Sequence, residues 1–155
     1  MDKFLLAKDI ISGQEARGYM NINGKNELMF FAKKVKADGE KSKKEVKTIG
    51  RRVTQHKSTG VKLTGTMTIY DVTPIFRRIM ADYIKKGIDA YFDMTLINED
   101  PTSSIGKQTA ILYDVNIDKV TMAQFDVDSD TLEDEVGFSY GDIEYLDEFT
   151  TPSNI

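Results

Sequence analysis

The chain has 155 residues, 40% hydrophobic and 30% charged, with one His, no Cys, no Trp and a formal net charge of −4. That length suits a single domain over residues 1–155, able to form a core without disulfides or a structural metal; the missing Cys excludes thiol nucleophiles, zinc thiolate sites, iron–sulfur clusters and disulfide frameworks, and fits a reducing compartment. No apolar run approaches the roughly 18–20 residues of a membrane-spanning helix, and the charges in Met1-Asp2-Lys3-Phe4-Leu5-Leu6-Ala7-Lys8 come too early for a secretory signal, so the mature chain is expected to start near Met1.

In chain order, the first dozen residues carry no sustained pattern and are expected to be flexible, or ordered by a partner. Ala16 to Ile22 and Glu27 to Ala32 flank Asn23-Gly24. An Asn-Gly pair between two apolar runs signals a hairpin with a two-residue turn, because both residues tolerate positive φ. Ala37 to Lys44 has no apolar period and reads as a mobile loop. Glu45 to Ile49 alternates and predicts a strand, followed by Gly50-Arg51-Arg52 and a polar loop ending near Gly60. Val61 to Tyr70 alternates with period two, placing Val61, Leu63, Met67 and Ile69 on one face. Gly65 interrupts that face, which points to a bulge or to the close approach of another backbone.

One helix is predicted over about residues 74–86. Thr73 can cap it, Pro74 suits its first position, and Gly87 can adopt the left-handed cap. Ile75, Phe76, Ile79, Met80, Tyr83 and Ile84 recur at helical spacing, while Arg77, Arg78, Asp82, Lys85 and Lys86 are expected to face away. Such a stripe is read as core packing against a sheet. Strands resume with Ala90 to Ile97, Gln108 to Val115, Ile117 to Phe125 and Asp134 to Tyr140, before a tail over about 150–155 that again looks untied. About eight strands and one flanking helix imply a mainly β (α+β) protein, an antiparallel sandwich or barrel.

Catalytic and ligand motifs fail one by one. His56, the single imidazole, lies in the polar run Thr54 to Thr59, so His-based triads and clustered His metal sites are excluded unless one His suffices. Gly60 and Gly65 have the spacing of a P-loop's glycines, but Thr66-Met67 stand where Lys and Ser/Thr are needed. Asp126-Val127-Asp128-Ser129-Asp130 resembles half of a calcium loop, yet Thr131 and Gly137 occupy the positions of the required Gly and Glu. Carboxylate pairs for acid/base work can be drawn from the acidic half almost at will and carry little information. No cofactor is implied.

The net charge conceals a segregation. From Lys33 to Lys62 eleven basic residues face three acidic ones, a balance of about +8; from Asp114 to Glu148 twelve acidic residues face only Lys119, a balance of about −11. Three readings are open: a basic face for nucleic acid, a solvated surface, or complementary patches that meet on neighbouring copies. A nucleic-acid-binding β-barrel using the 33–62 segment is the alternative function, but single-strand binders interleave stacking aromatics, and this segment has no Phe, Tyr or Trp.

Several stretches together resemble a known family: Ser12-Gly13-Gln14-Glu15-Ala16-Arg17; Glu45-Val46 through Ile49-Gly50-Arg51-Arg52 to His56-Lys57-Ser58-Thr59-Gly60; and Gly65-Thr66-Met67-Thr68-Ile69-Tyr70. Tyr83 to Phe92, Leu112 to Asp118, and Asp126-Val127-Asp128-Ser129 with Leu132-Glu133 continue the pattern in order. Over about residues 12 to 148 the chain is similar to the tail tube proteins of contractile, PBSX-like phage tails and of related defective prophages and tailocins. The resemblance implies a non-catalytic β-sandwich with one helix, similar in fold to the secretion tube protein Hcp. Six copies would form a ring, and rings would stack into a hollow tube inside a sheath. Sheath, baseplate and tail terminator proteins are the implied partners, and DNA only a non-specific cargo of the lumen. The place implied is the tail of a phage or phage-like particle made in a bacterial cytoplasm.

Opposite charge on two segments suits head-to-tail contact between identical subunits. The expected contact residues are Lys41, Lys43, Lys44, Arg51, Arg52 and His56 on one side and Asp126 and Asp128 on the other, with loops between Ala37 and Gly60 ordering on a neighbour. Part of the acidic half is expected to line the lumen, where negative charge keeps DNA from sticking.

Overall fold

The computed structural model describes residues 6–9, 16–22, 24–28, 32–71 and 73–150. After a 3-10 turn (Ala7–Asp9) come β1 (Ala16–Ile22), β2 (Lys25–Leu28), β3 (Ala32–Val46), β4 (Gln55–Tyr70), α1 (Ile75–Lys86), β5 (Phe92–Glu99), β6 (Lys107–Lys119), β7 (Glu133–Ser139) and β8 (Asp142–Asp147). The strands form one antiparallel sheet in the order β2-β1-β5-β6-β7-β4-β3, with β8 also paired to β6. The mainly β, antiparallel class with one helix is as the sequence predicts.

β6 joins the two halves of the sheet. Its first part pairs with β5 and β8, and Asn116 to Lys119 pair with β7. Between the two regimes Asp114 adopts φ +55, and the buried face changes phase from Leu112 to Val115. One extra residue bends a strand in this way, so β6 turns a corner and the sheet curls around a common interior. That interior is built from Met20 (β1), Met67 and Ile69 (β4), Phe76 (α1), Phe92 and Met94 (β5), Leu112, Val115 and Ile117 (β6), and Val136 and Phe138 (β7). Phe76 meets Phe92 with ring centroids 6.3 Å apart, fixing the helix to the sheet.

The β1–β2 hairpin follows the Asn-Gly signal: Ile22 pairs with Lys25 and Gly24 has φ +81. The helix starts one residue after Pro74, with the Thr73 hydroxyl accepting from the Ile75 amide at 3.4 Å. It ends on Gly87 at φ +68, whose amide donates to the Tyr83 carbonyl.

The structure corrects several expectations. Ala37 to Lys44 is not a loop but the middle of β3, and the polar run up to Gly60 contains the start of β4 at Gln55. The strand expected over Glu45 to Ile49 ends at Val46, and that over Ile117 to Phe125 is only the end of β6. β8 has no counterpart in the sequence reading. Val61, expected on the buried face, is exposed, because β4 there lies beyond the body of the sheet. Only the first half of α1 packs: Phe76 is buried while Tyr83 and Ile84 are exposed. Arg77, expected to face solvent, turns inward. At the ends of the chain, the Lys8 carbonyl accepts from the Ser104 amide and the Thr150 amide donates to Ile105, so both flanks touch the β5–β6 turn. Residues 1–5, 10–12 and 151–155, also expected to be flexible, lie outside the described set.

Candidate assembly interface

β3 and β4 pair along their whole lengths, from Ala32↔Ile69 to Val46↔Gln55. β7 supports β4 only from Thr64 to Tyr70. Beyond that point Glu40–Val46 and Gln55–Lys62 form a two-stranded ribbon, exposed along both strands, that projects about 24 Å at the usual rise per residue. Its root is fixed to the body. Tyr140 donates its hydroxyl to the Asp38 carbonyl at 2.9 Å and its amide to the Leu63 carbonyl at 3.1 Å, with its ring 6.3 Å from that of Phe138. Further out the register slips between Ser42 and Lys43, and the Thr59 hydroxyl donates to the Ser42 carbonyl.

This arm gathers six of the expected contact residues. Lys41, Lys43 and Lys44 lie on β3, Arg51 and Arg52 in the connection at the tip, and His56 at the start of β4, 3.8 Å from Glu45. All are exposed, and so are Val46, Ile49 and Val53 around the tip. An isolated two-stranded ribbon is marginal in water, so an arm of this length gains from a surface to lie on.

Asp126 and Asp128 lie elsewhere, in the connection between β6 and β7. The base of that connection is clamped. Arg77 donates through Nε to the Thr121 carbonyl at 2.8 Å and through Nη2 to both oxygens of Asp134 at 3.1 and 2.9 Å, while its Nη1 lies 3.0 Å from Asp71. Gln124 donates to Asp134 at 2.6 Å and to the Glu133 carbonyl at 3.0 Å, and the Asp71 amide donates to the Leu132 carbonyl. Asp134 is fully buried, and loss of hydration pushes its carboxyl above the ordinary range, outweighing the pull of Arg77; the hydrogen bond to Asp71 chiefly raises Arg77. Above this clamp Asp126 accepts from the Asp128 amide at 3.0 Å, and Phe125 and Val127 point into solvent at 89% and 77% exposure. The structure thus brings the basic residues together but not the basic with the acidic: among the described residues no ion pair joins the arm to Asp126 or Asp128. The exposed apolar residues of both surfaces escape a charge-based reading, and Arg77 escapes because its partners lie up to 57 positions away.

Among the described residues no three His, Asp or Glu side chains converge as metal ligands. A groove of about 250 Å³ between α1 and β6 is lined by Ile79, Met80, Tyr83, Asp89, Asn116 and Asp118.

Residues 3–147 match a protein family described as phage tail tube protein. The chain belongs to the phage tail tube protein family. It is 44% identical over 140 residues to the phage-like element PBSX protein XkdM of Bacillus subtilis strain 168, covering 90% of this chain and 92% of that protein. Its fold is similar to a chain in the sheath/tube terminator structure of the extracellular contractile injection system PVC (TM-score 0.68, 14% identity, 92% and 100% coverage). It is also similar to one in the PVC sheath–tube complex (0.63, 13%, 90% and 93%). Hcp1 of Flavobacterium johnsoniae overlaps less closely, at 0.50 with 14% identity over 88% of this chain and 99% of that one. The tail tube protein is accordingly a structural subunit of a phage or phage-like particle. The projecting arm and the clamped acidic loop both leave apolar side chains exposed among charges.

Proposed function

We propose that this tail tube protein assembles into six-membered rings that stack into a hollow tube within a contractile sheath. Baseplate and terminator proteins close its ends. The observation that carries this reading is the β3–β4 arm, a root-anchored ribbon with basic residues and apolar tip side chains that its own chain leaves bare. A lone globular domain has no use for such an element; a subunit that must reach a neighbour does. The charged residues Lys41, Lys43, Lys44, Arg51, Arg52, His56, Asp126 and Asp128 set the register of contacts, with apolar burial and strand pairing supplying most of the affinity.

In a phage the lumen passes DNA; in a defective particle the tube perforates the target envelope. Carboxylates of the acidic half that face the lumen keep the cargo from adhering. The subunit is made in the bacterial cytoplasm and ends in the particle, with no catalytic role. The basic arm as a nucleic-acid site is disfavoured by the absence of Phe, Tyr and Trp from Lys33 to Lys62.

Electron microscopy of the purified protein at high concentration tests the reading. Six-fold rings or tubes are expected. A protein that stays monomeric and binds DNA in a salt-sensitive manner overturns it.

A further inference from the structure

The arm and the acidic loop leave the body at opposite ends of the same strand pair. β4 and β7 are in register from Thr64↔Ser139 to Tyr70↔Glu133. The arm continues β4 past the Ser139 end, whereas the β6–β7 connection enters β7 at Glu133, about 20 Å away along the strand direction at the usual rise. Two surfaces at opposite ends of one axis cannot meet within a chain. They do meet when a second copy is displaced along that axis, and the contact then propagates head to tail.

We infer that the loop from Phe125 to Asp130 is the seat that receives the arm of a second copy, with Ile49 and Val53 of the arm packing on Phe125 and Val127 while Arg51 and Arg52 face Asp126, Asp128 and Asp130. This rests on the tube reading and adds which surface takes the arm. The chemistry of the two surfaces matches term by term. Around Ile49 and Val53 the charges over residues 47–54 are all basic, and around Phe125 and Val127 they are all acidic. Apolar burial supplies affinity, and the flanking charges suppress a shifted register or contact between two arms. The seat is also held in place beforehand, since Arg77, Gln124 and the Asp71 amide fix both ends of the loop through the buried Asp134 and the Leu132 carbonyl. A surface fixed before contact loses less conformational freedom on binding. Arg77 and Gln124 are positioning residues, which accounts for a buried ion network beneath an otherwise solvent-exposed loop.

The absence of Cys makes a direct test available. Ile49→Cys and Phe125→Cys variants, each with one thiol, are mixed under tube-forming conditions and oxidised, and the linked peptides are read by mass spectrometry. A disulfide joining position 49 of one copy to position 125 of another is expected, and neither variant alone can form it. Tubes that form without this link, or with position 49 linked only to another position 49, overturn the seat while leaving the tube reading intact. Wild-type protein that forms neither rings nor tubes overturns both. As a second readout, Arg51→Glu with Arg52→Glu, and separately Asp126→Lys with Asp128→Lys, abolish tubes in chains whose circular dichroism is unchanged. Combining all four substitutions in one chain restores them; tubes unaffected by either pair count against the seat.

Discussion

The ring of Phe138 lies so close over Gly65 that a Cβ on Gly65 would stand 2.4 Å from Phe138 Cζ and 2.6 Å from the Lys36 carbonyl oxygen. Phe138 is fully buried and Gly65 sits between β3 and β7, so neither neighbour can withdraw without opening a strand pair. The interruption of the apolar face in β4 is therefore the place where the core closes over the backbone at the root of the arm. Gly65→Ala is expected to destabilise the protein by about 1–3 kcal/mol through overpacking. Urea unfolding checks this, and an unchanged midpoint would show that the contact relaxes freely.

Arg77 holds Asp134 by two hydrogen bonds and Asp71 by a third contact, with Asp134 almost wholly removed from water. Removing the cation while leaving the carboxylate buried costs about 3–5 kcal/mol, so Arg77→Met should lower stability by that order. Asp134→Asn, which keeps an acceptor for Arg77, should cost less. Equal losses in the two variants would indicate that packing rather than charge pairing governs the site.

The pH dependence follows from the same group. Burial raises the Asp134 pKa in the folded state above the unfolded value, so the folded state binds this proton more tightly. Its contribution to stability is then full below the ordinary carboxylate range and declines as pH rises through the folded value, opposite in sign to that of a solvent-exposed salt-bridged Asp. Stability measured against pH in wild type and Asp134→Asn should differ by a component of this sign, and a component rising with pH would contradict it.

Tyr140 is buried and donates to the Asp38 carbonyl at the root of the arm. Tyr140→Phe should cost about 1 kcal/mol for the lost hydrogen bond. Burial also raises its phenol pKa. The unfolded phenol then ionises first, and stability declines as pH climbs from about 10 towards the folded value. The Phe variant should lack this alkaline decline, as denaturant midpoints in wild type and variant will report.

Lys41, Lys43 and Lys44 are exposed and carry no ion pair among the described residues. Changing all three to Glu should leave the stability of the isolated subunit nearly unaltered, since substitutions away from packed or paired groups move it by about 0.5 kcal/mol or less each. Tube assembly, in contrast, should be lost. Normal tubes from the triple variant, seen by electron microscopy, would remove this part of the arm from the interface.

The elements that bury one face are legible in the amino-acid pattern. Residues 63–69, 92–97, 136–140 and the first half of the helix show their period because each second, or each third and fourth, side chain must leave water. The resemblance draws on both kinds of segment: Gly65-Thr66-Met67-Thr68-Ile69-Tyr70 lies in the part of β4 that reaches the core, whereas Glu45-Val46 and Ile49 to Gly60 lie in the exposed arm. Most of the arm was illegible: over residues 40–44 and 55–60 both faces lie in water, so no apolar alternation marks the strands. Only backbone pairing across the hairpin makes them β, which is why lysine-rich β3 read as a loop. Charge segregation was visible, but its placement was not. Tertiary structure alone decided that the basic arm and the Asp126–Asp128 loop lie at opposite ends of β4 and β7, and that Arg77 joins Asp134 across 57 positions. Local propensity acts over a few residues, whereas strand register and buried charge pairing are settled by how distant segments meet.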